Sequence, residues 1–469
     1  MQRRILSAAV ALAMAGPAAA QSAASPEDIK TLRDEIQALR SAYEARLQAL
    51  ELRLQAAESA ATRAAPATPA VAAAPVPAPV AADATPAPVA AAAPTSASAG
   101  GANALNPAIS LILSGIAART SRDPADYRIT GFALPPGAEV GPGTRGLSLA
   151  ESELAFSASV DPYWRGALFA ALHPDDSISV EEAFVETTSL GNGLTLKAGR
   201  FFSNVGYLNP QHAHTWDFVD NPLAYQALLG TQYGDDGLQL RWIAPTDQLL
   251  ELGAEVGRGR GFPGSDAGTN GAGMRAFSVH TGGDVGDSHS WRAGVSVLQA
   301  SARDQALVGL AADDTLAAFS GRTRVWIADA VWKWAPDGNA TRTNFKLQGE
   351  YLQARRSGSL AVDDSAGDYR ATPSGWYVQG VYQFMPRWRV GLRTERLDAG
   401  SAEAGANAAL IAGSGFKPSK HSLMLEFNPS EFSRLRLQFA QDRAREGAAD
   451  RQVFLQYQMS LGAHGAHGY

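Results

Sequence analysis

The chain has 469 residues, no cysteine and a formal net charge of −6. The missing cysteines exclude a disulfide framework and Cys-ligated metal sites, and the acidic balance excludes a polybasic nucleic-acid binder. Beyond the first twenty residues no run is long and apolar enough for a membrane helix. A membrane β-barrel hides its hydrophobicity in alternation and escapes that test.

Residues 1–20 read as a signal peptide. Arg3 and Arg4 give the positive start, Ile5 to Ala15 the apolar core, and Ala18-Ala19-Ala20 the small-residue cleavage site. A helix is expected next, over 25–62. Ser25 caps it, Pro26 suits its first position, and Asp28 stands as a capping-box acid. Ile29, Leu32, Ile36, Leu39, Tyr43, Leu47, Leu50 and Leu54 form a narrow stripe with one stutter at Tyr43–Leu47. Such a stripe gains little unless buried, so it predicts an α-helical coiled coil. Residues 63–104 are nearly all Ala, Pro and Val. They cannot build a core and predict a disordered Pro/Ala linker. At roughly 3.1 Å per residue it reaches on the order of 100 Å.

From 105 to 469 the texture is period-two alternation. Trp326, Ala328, Ala330, Trp332 and Trp334 oppose Asp329 and Lys333. Leu238, Leu240 and Trp242 oppose Gln239 and Arg241, and Leu435, Leu437 and Phe439 oppose Arg436 and Gln438. Tight turns are expected at 161–162, 190–193, 245–247, 283–287, 336–339, Pro386 and Pro429. Longer polar connections are expected at 118–146, 202–236, 258–271, 301–317, 355–374, 398–417 and 443–450. Short turns on one rim and long loops on the other predict an all-β transmembrane antiparallel barrel of about 16 strands. Tyr163, Trp164, Trp334 and Trp388 near strand ends suit an interfacial girdle. The chain ends at an aromatic, Tyr469.

The segment Phe201–Asp236 interrupts this pattern between the fifth and sixth strands. It is aromatic-rich and carries His212 and His214, with Asp217 and Asp220 close by. We read it as the third outward loop, placed to fold inward as a constriction. The two histidines lie on one face of an extended segment and could ligate zinc, or could simply pack and hydrogen-bond. Glu151, Glu153, Lys197, Arg241, Arg292, Arg389, Arg393 and Arg436 fall on the lumen phase. They set a transverse field across a pore or hold the wall by salt bridges. Glu181 and Glu182 should point to opposite faces, which makes them a poor catalytic pair. No nucleophile–base arrangement stands out, so the chain does not read as an enzyme.

The stretches LTLKAGRFFSNVGYLN and DNPLAYQALLG, with the exported coiled coil, resemble the phosphate-selective porin O and P type of channel. LNPAISLILSG, LSLAESELAFSASVDP, ISVEEAFVETTSLGNGLTLKAGRFF and the terminal SLGAHGAHGY are similar to proteobacterial barrels often labelled zinc-regulated TonB-dependent outer membrane receptor. The resemblance implies a Gram-negative outer membrane, and an even strand count leaves both barrel termini, and so the coiled coil, in the periplasm. A terminal aromatic, Tyr469, implies recognition by the barrel assembly machinery. Expected partners are outer-membrane lipid, further copies of the chain (a trimer among them) and cell wall against the coiled coil. No cofactor is expected unless His212 and His214 hold zinc. Three functions are compatible with these features: a channel for small hydrophilic solutes or ions, a metal-related uptake receptor, and an envelope tether.

Overall fold

The computed structural model describes residues 107–266, 270–310, 315–409 and 415–462. The expected signal peptide, coiled coil and linker, and the terminal Tyr469, lie outside these residues.

The strands are β1 Ala108–Thr120, β2 Gly146–Leu149, β3 Ser152–Ser159, β4 Trp164–Leu172, β5 Ile178–Thr187, β6 Leu194–Phe202, β7 Gly234–Ile243, β8 Leu249–Gly257, β9 Met274–Val285 and β10 His289–Leu307. They continue as β11 Ala317–Trp334, β12 Asn344–Val362, β13 Ser365–Ala371, β14 Ser374–Met385, β15 Trp388–Asp398, β16 Ala402–Glu403, β17 Ser419–Ser430, β18 Ser433–Arg445 and β19 Ala448–Gly462. Every pairing is antiparallel, and the sheet closes where β1 meets β19, from Ser110 opposite Gly462 to Thr120 opposite Gln452. β2 and β3 both pair with β1, and β13 and β14 both pair with β12. β16 prolongs β15 to meet β13. These are three interrupted staves, so the nineteen strands make sixteen staves. This is the closed antiparallel barrel that the alternation predicts. Closure leaves no sheet edge unpaired.

Alternation sets which side chains face out. In β11, Trp326 and Trp332 are exposed on the outer wall, while Val325, Ile327, Asp329 and Val331 are buried on the inner one. The outer apolar row from Trp326 to Trp334 matches the 9–11 residues, roughly, that a tilted strand needs to cross hydrocarbon. Both barrel ends, the start of β1 and the end of β19, lie on the rim of tight turns. One such turn is fixed by Asp161, whose carboxylate accepts from the Tyr163 and Trp164 amides at 2.7 and 2.8 Å. Another needs Gly193, at φ 76°, because a Cβ there would run into the Ile243 carbonyl.

Three expected long loops are largely strand. β10 runs on to Leu307, β12 to Val362 and β18 to Arg445, so the described residues of 301–317, 355–374 and 443–450 are mostly paired backbone. Their Ser-, Gly- and Arg-rich composition reads as loop, but cross-strand hydrogen bonds carry them past the apolar belt. Pro429 lies within an irregular end of β17, and the turn itself falls at Glu431–Phe432.

Candidate functional site

The connection from β6 to β7 turns into the lumen. Gly206 takes φ 70°, and a Cβ there would collide with the Glu350 carboxylate and the Tyr225 hydroxyl. Asn209 ties the two ends of the loop together, donating to the Ser203 and Tyr233 carbonyls at 2.8 and 2.9 Å. Between them helix α1, Leu223–Leu229, starts after Pro222, and its C-cap is Gly230 at φ 66°. All seven helix residues are buried. They pack on an apolar patch of the inner wall: Leu298 of β10, Val325 and Ile327 of β11, Leu352 and Ala354 of β12, and Tyr377 of β14. An inner wall facing only water would not hold such residues.

Wall carboxylates then satisfy the loop backbone, which has no ladder partner inside the barrel. Glu255 accepts from the Asn204 amide at 2.7 Å and the Ser203 hydroxyl at 2.5 Å. Glu350 accepts from the Tyr207 and Leu208 amides, both at 3.0 Å, and from the hydroxyls of Tyr225 and Tyr377 at 2.8 and 2.6 Å. Glu395 accepts from the Leu223 amide at 2.5 Å, at the positive end of α1.

Loop acids are held in turn by wall cations. Asp217 bonds Lys346 at 2.5 Å, Arg389 at 2.7 Å and Gln379 at 3.0 Å. Asp220 bonds Lys420 at 2.5 Å, Arg393 at 2.7 Å and Gln438 at 2.9 Å. Burial alone would raise both aspartates. The paired cations outweigh it and hold both well below the usual carboxylate range. Arg436 donates to Glu426 and to the Trp216 carbonyl, both at 2.7 Å, and Arg434 reaches the His214 carbonyl at 2.7 Å.

At the far side of the loop sits His212. It is the N-cap residue of a 3₁₀ turn, Ala213–Thr215, so the expected extended His-x-His segment is absent. Its ring stacks on that of His214, with centroids 5.8 Å apart. Nδ1 lies 2.8 Å from Glu153 and 3.1 Å from Glu181, and Nε2 lies 2.9 Å from Glu182. Glu181 and Glu182 both reach it, contrary to the expectation that neighbours on a strand diverge. The register of β4 and β5 shifts between Phe169 and Ala170, and such a bulge re-aims one side chain.

Burial would lower the His212 pKa, but the three carboxylates raise it well above its ordinary value. Its hold on the loop is therefore complete below about 6.5, the unfolded value, and fades only as pH rises through the raised one. In histidine-labelled protein the His212 ring resonance should stay at its protonated position through neutral pH. Titration near 6.5 would contradict this. Glu153, Glu181 and His212 present ligand atoms within 4.8 Å of one another. Both ring nitrogens already face carboxylates, so a metal would have to displace either the Nδ1 proton, which faces Glu153 and Glu181, or the Nε2 proton, which faces Glu182.

Glu151 lies beside Glu181 and His212. Lys197 sits 4.0 Å from the Phe184 ring centroid and 4.0 Å from Glu186. Arg241 stands on the inner phase of β7 near Glu251. Arg292 lies over the Tyr207 ring at 5.4 Å. Thus Asp217, Asp220, Arg389, Arg393 and Arg436 come together as loop anchors, as do Glu151, Glu153, His212 and His214. Lys197, Arg241 and Arg292 line the wall toward the turn rim, where Arg165 and Lys333 join them. Sequence reasoning missed Lys420 and the apolar inner patch, and it considered Glu182 only as half of a poor catalytic pair. Leu298, Val325, Ile327 and Leu352 all fall on the lumen phase, and that run of apolar residues where polar ones belong was the available signal.

These features define a closed sixteen-stave barrel with its third connection on the loop rim packed across the lumen. The chain belongs to one family with an uncharacterized protein of Aquifex aeolicus (strain VF5), 32% identical over 351 residues that cover 69% of this chain and 70% of that one. No family model matches the sequence. Among solved structures, a loop-L8 deletion mutant of the Vibrio cholerae outer membrane protein OmpT is 12% identical, covering 76% of this chain and 100% of its own, with a TM-score of 0.47. An anion-selective porin from Comamonas acidovorans is 12% identical, covering 76% and 99%, at 0.46. The outer membrane channel DcaP of Acinetobacter baumannii is 14% identical, covering 75% and 96%, at 0.44. Likeness this distant leaves function to the chemistry of the barrel itself.

Proposed function

We propose that this chain is an outer-membrane channel for diffusion of small hydrophilic solutes and ions, with Phe201–Asp236 as its constriction. The observation that carries this reading is the loop itself. It lies inside a closed barrel whose outer wall is apolar, and it is fixed by charged residues of the inner wall on nearly every side. A soluble barrel has no use for exposed Trp326, Trp332, Trp376 and Leu392 on its outer face, whereas a bilayer covers them.

The inner wall between loop and turn rim carries Arg165, Lys197, Arg241, Arg292 and Lys333, against Glu186, Glu251 and Asp329, while Lys346 there is paired with Asp217. Excess cations along a narrow path favour anions. Recording from planar bilayers tests the reading. The purified protein should give discrete conductance steps with a reversal potential displaced toward the anion. Protein that inserts without conducting would sink it.

A further inference from the structure

The outer wall carries a second organised feature, above the apolar belt on β9 to β12. Arg275 of β9 stands opposite Gln299 of β10, Gln299 opposite Arg324 of β11, and Arg324 opposite Arg355 of β12. One step nearer the loop rim, Arg322 stands opposite Ser301 and Ser357. All four arginines are exposed and point away from the lumen. One step the other way the same face becomes Phe277, Val297, Trp326 and Gln353, followed by Val279, Val295, Ala328, Tyr351 and Trp376.

Like charges directly across a strand pair repel, and Arg324 and Arg355 are such a pair. Two other outward arginines, Arg200 and Arg258, are compensated, by Asp236 at 2.7 Å and by Asp266. Among the described residues, Arg275, Arg322, Arg324 and Arg355 make no ion pair with a carboxylate. Arg324 donates only to the Gln299 side chain, at 3.0 Å. A polar cleft of about 170 Å³ opens between Arg275, Gln299, Ser301 and Arg322. Adjacent strands are about 4.8 Å apart, so guanidinium groups two strands apart can converge on one tetrahedral anion.

We propose that these four arginines dock the phosphate groups of an outer-leaflet lipid, a headgroup bearing phosphate monoesters, with its acyl chains lying on Phe277, Trp326, Tyr351 and Trp376. Position argues for a lipid. The arginines sit where the apolar belt ends, at the depth of headgroups, and aromatic rings sit immediately below them. Guanidinium forks match phosphate oxygens in pairs. The inference rests on the membrane-spanning reading.

The test titrates full-length protein in detergent with bis-phosphorylated lipid A and counts bound lipid by native mass spectrometry. The variant is Arg322→Gln/Arg324→Gln/Arg355→Gln, and a matched triple lysine variant serves as partner. We expect affinity to fall at least about tenfold with glutamine, the loss of one charge-assisted contact or more. Lysine should fall between the two, and excess inorganic phosphate should not displace the lipid from wild type. Equal affinity in wild type and the glutamine variant would overturn the proposal, as would full displacement by inorganic phosphate. Conductance separates the two readings, because these residues face away from the lumen. If both proteins conduct and bind equally, only the lipid site fails. A wild type that does not insert overturns both.

Discussion

Replacing Asp217 and Asp220 together by asparagine should shift the reversal potential further toward anions and raise single-channel conductance. Each aspartate is itself buried and neutralises two wall cations, half-buried Lys346 and Arg389 for Asp217 and fully buried Arg393 and Lys420 for Asp220. Removing one partner of a buried pair costs about 3–5 kcal/mol, because the other charge is left uncompensated. The freed cations recover that cost by hydration, which requires the loop to lift and water to enter. Local potential and path width therefore change together. A change of about 1.4 kcal/mol in ion energy is a tenfold change in preference, so the permeability ratio should move on the order of tenfold. An unchanged ratio and conductance would mean that Asp217 and Asp220 do not border the path.

Excising residues 205–231 and bridging them with a short Gly/Ser linker should raise conductance several-fold while the barrel persists. Phe202 and Gly234 are already cross-strand partners, so a short linker closes the gap without strain. The ladders around the barrel do not pass through the loop. What is lost is the cover over Leu298, Val325, Ile327 and Leu352, which become exposed to lumen water. Each such side chain is worth about 1.5–3 kcal/mol when buried. The excised barrel should consequently melt at lower temperature as well as conduct more. A conductance equal to wild type would place the narrowest point elsewhere.

Much of this architecture was legible in alternation, because a closed membrane barrel imposes period two on every stave. The opposition of Trp326 and Trp332 to Asp329 fixed inside and outside for β11, and the interruption at Phe201–Asp236 marked the loop. Strand length was less legible. Beyond the apolar belt, Ser301 to Leu307 and Arg355 to Val362 have no lipid to read them out, and only pairing with neighbours makes them strand. The site was legible in part. Lumen phase named Arg389, Arg393 and Arg436, but periodicity cannot say that they hold a loop, since their loop partners Asp217, Asp220 and the Trp216 carbonyl come from distant parts of the chain. The bulge that gathers Glu181 and Glu182 on His212 was hidden for a related reason. One extra residue in β5 breaks the very phase from which side chains are assigned to faces.

The placement of the loop is tested most directly by a cross-link. The chain has no cysteine of its own, so Ala224→Cys with Gly375→Cys introduces the only two thiols. A Cβ built at Gly375 of β14 lies 3.1 Å from the Ala224 Cβ of α1, close to the roughly 3.5–4.5 Å that a disulfide spans, and the Leu397 side chain needs only to swing aside. Mild oxidation of the folded, membrane-inserted protein should join the two residues within one chain, and peptide mapping without reductant should recover them linked. Two free thiols, both open to a maleimide added from the loop side, would contradict a loop packed against the inner wall.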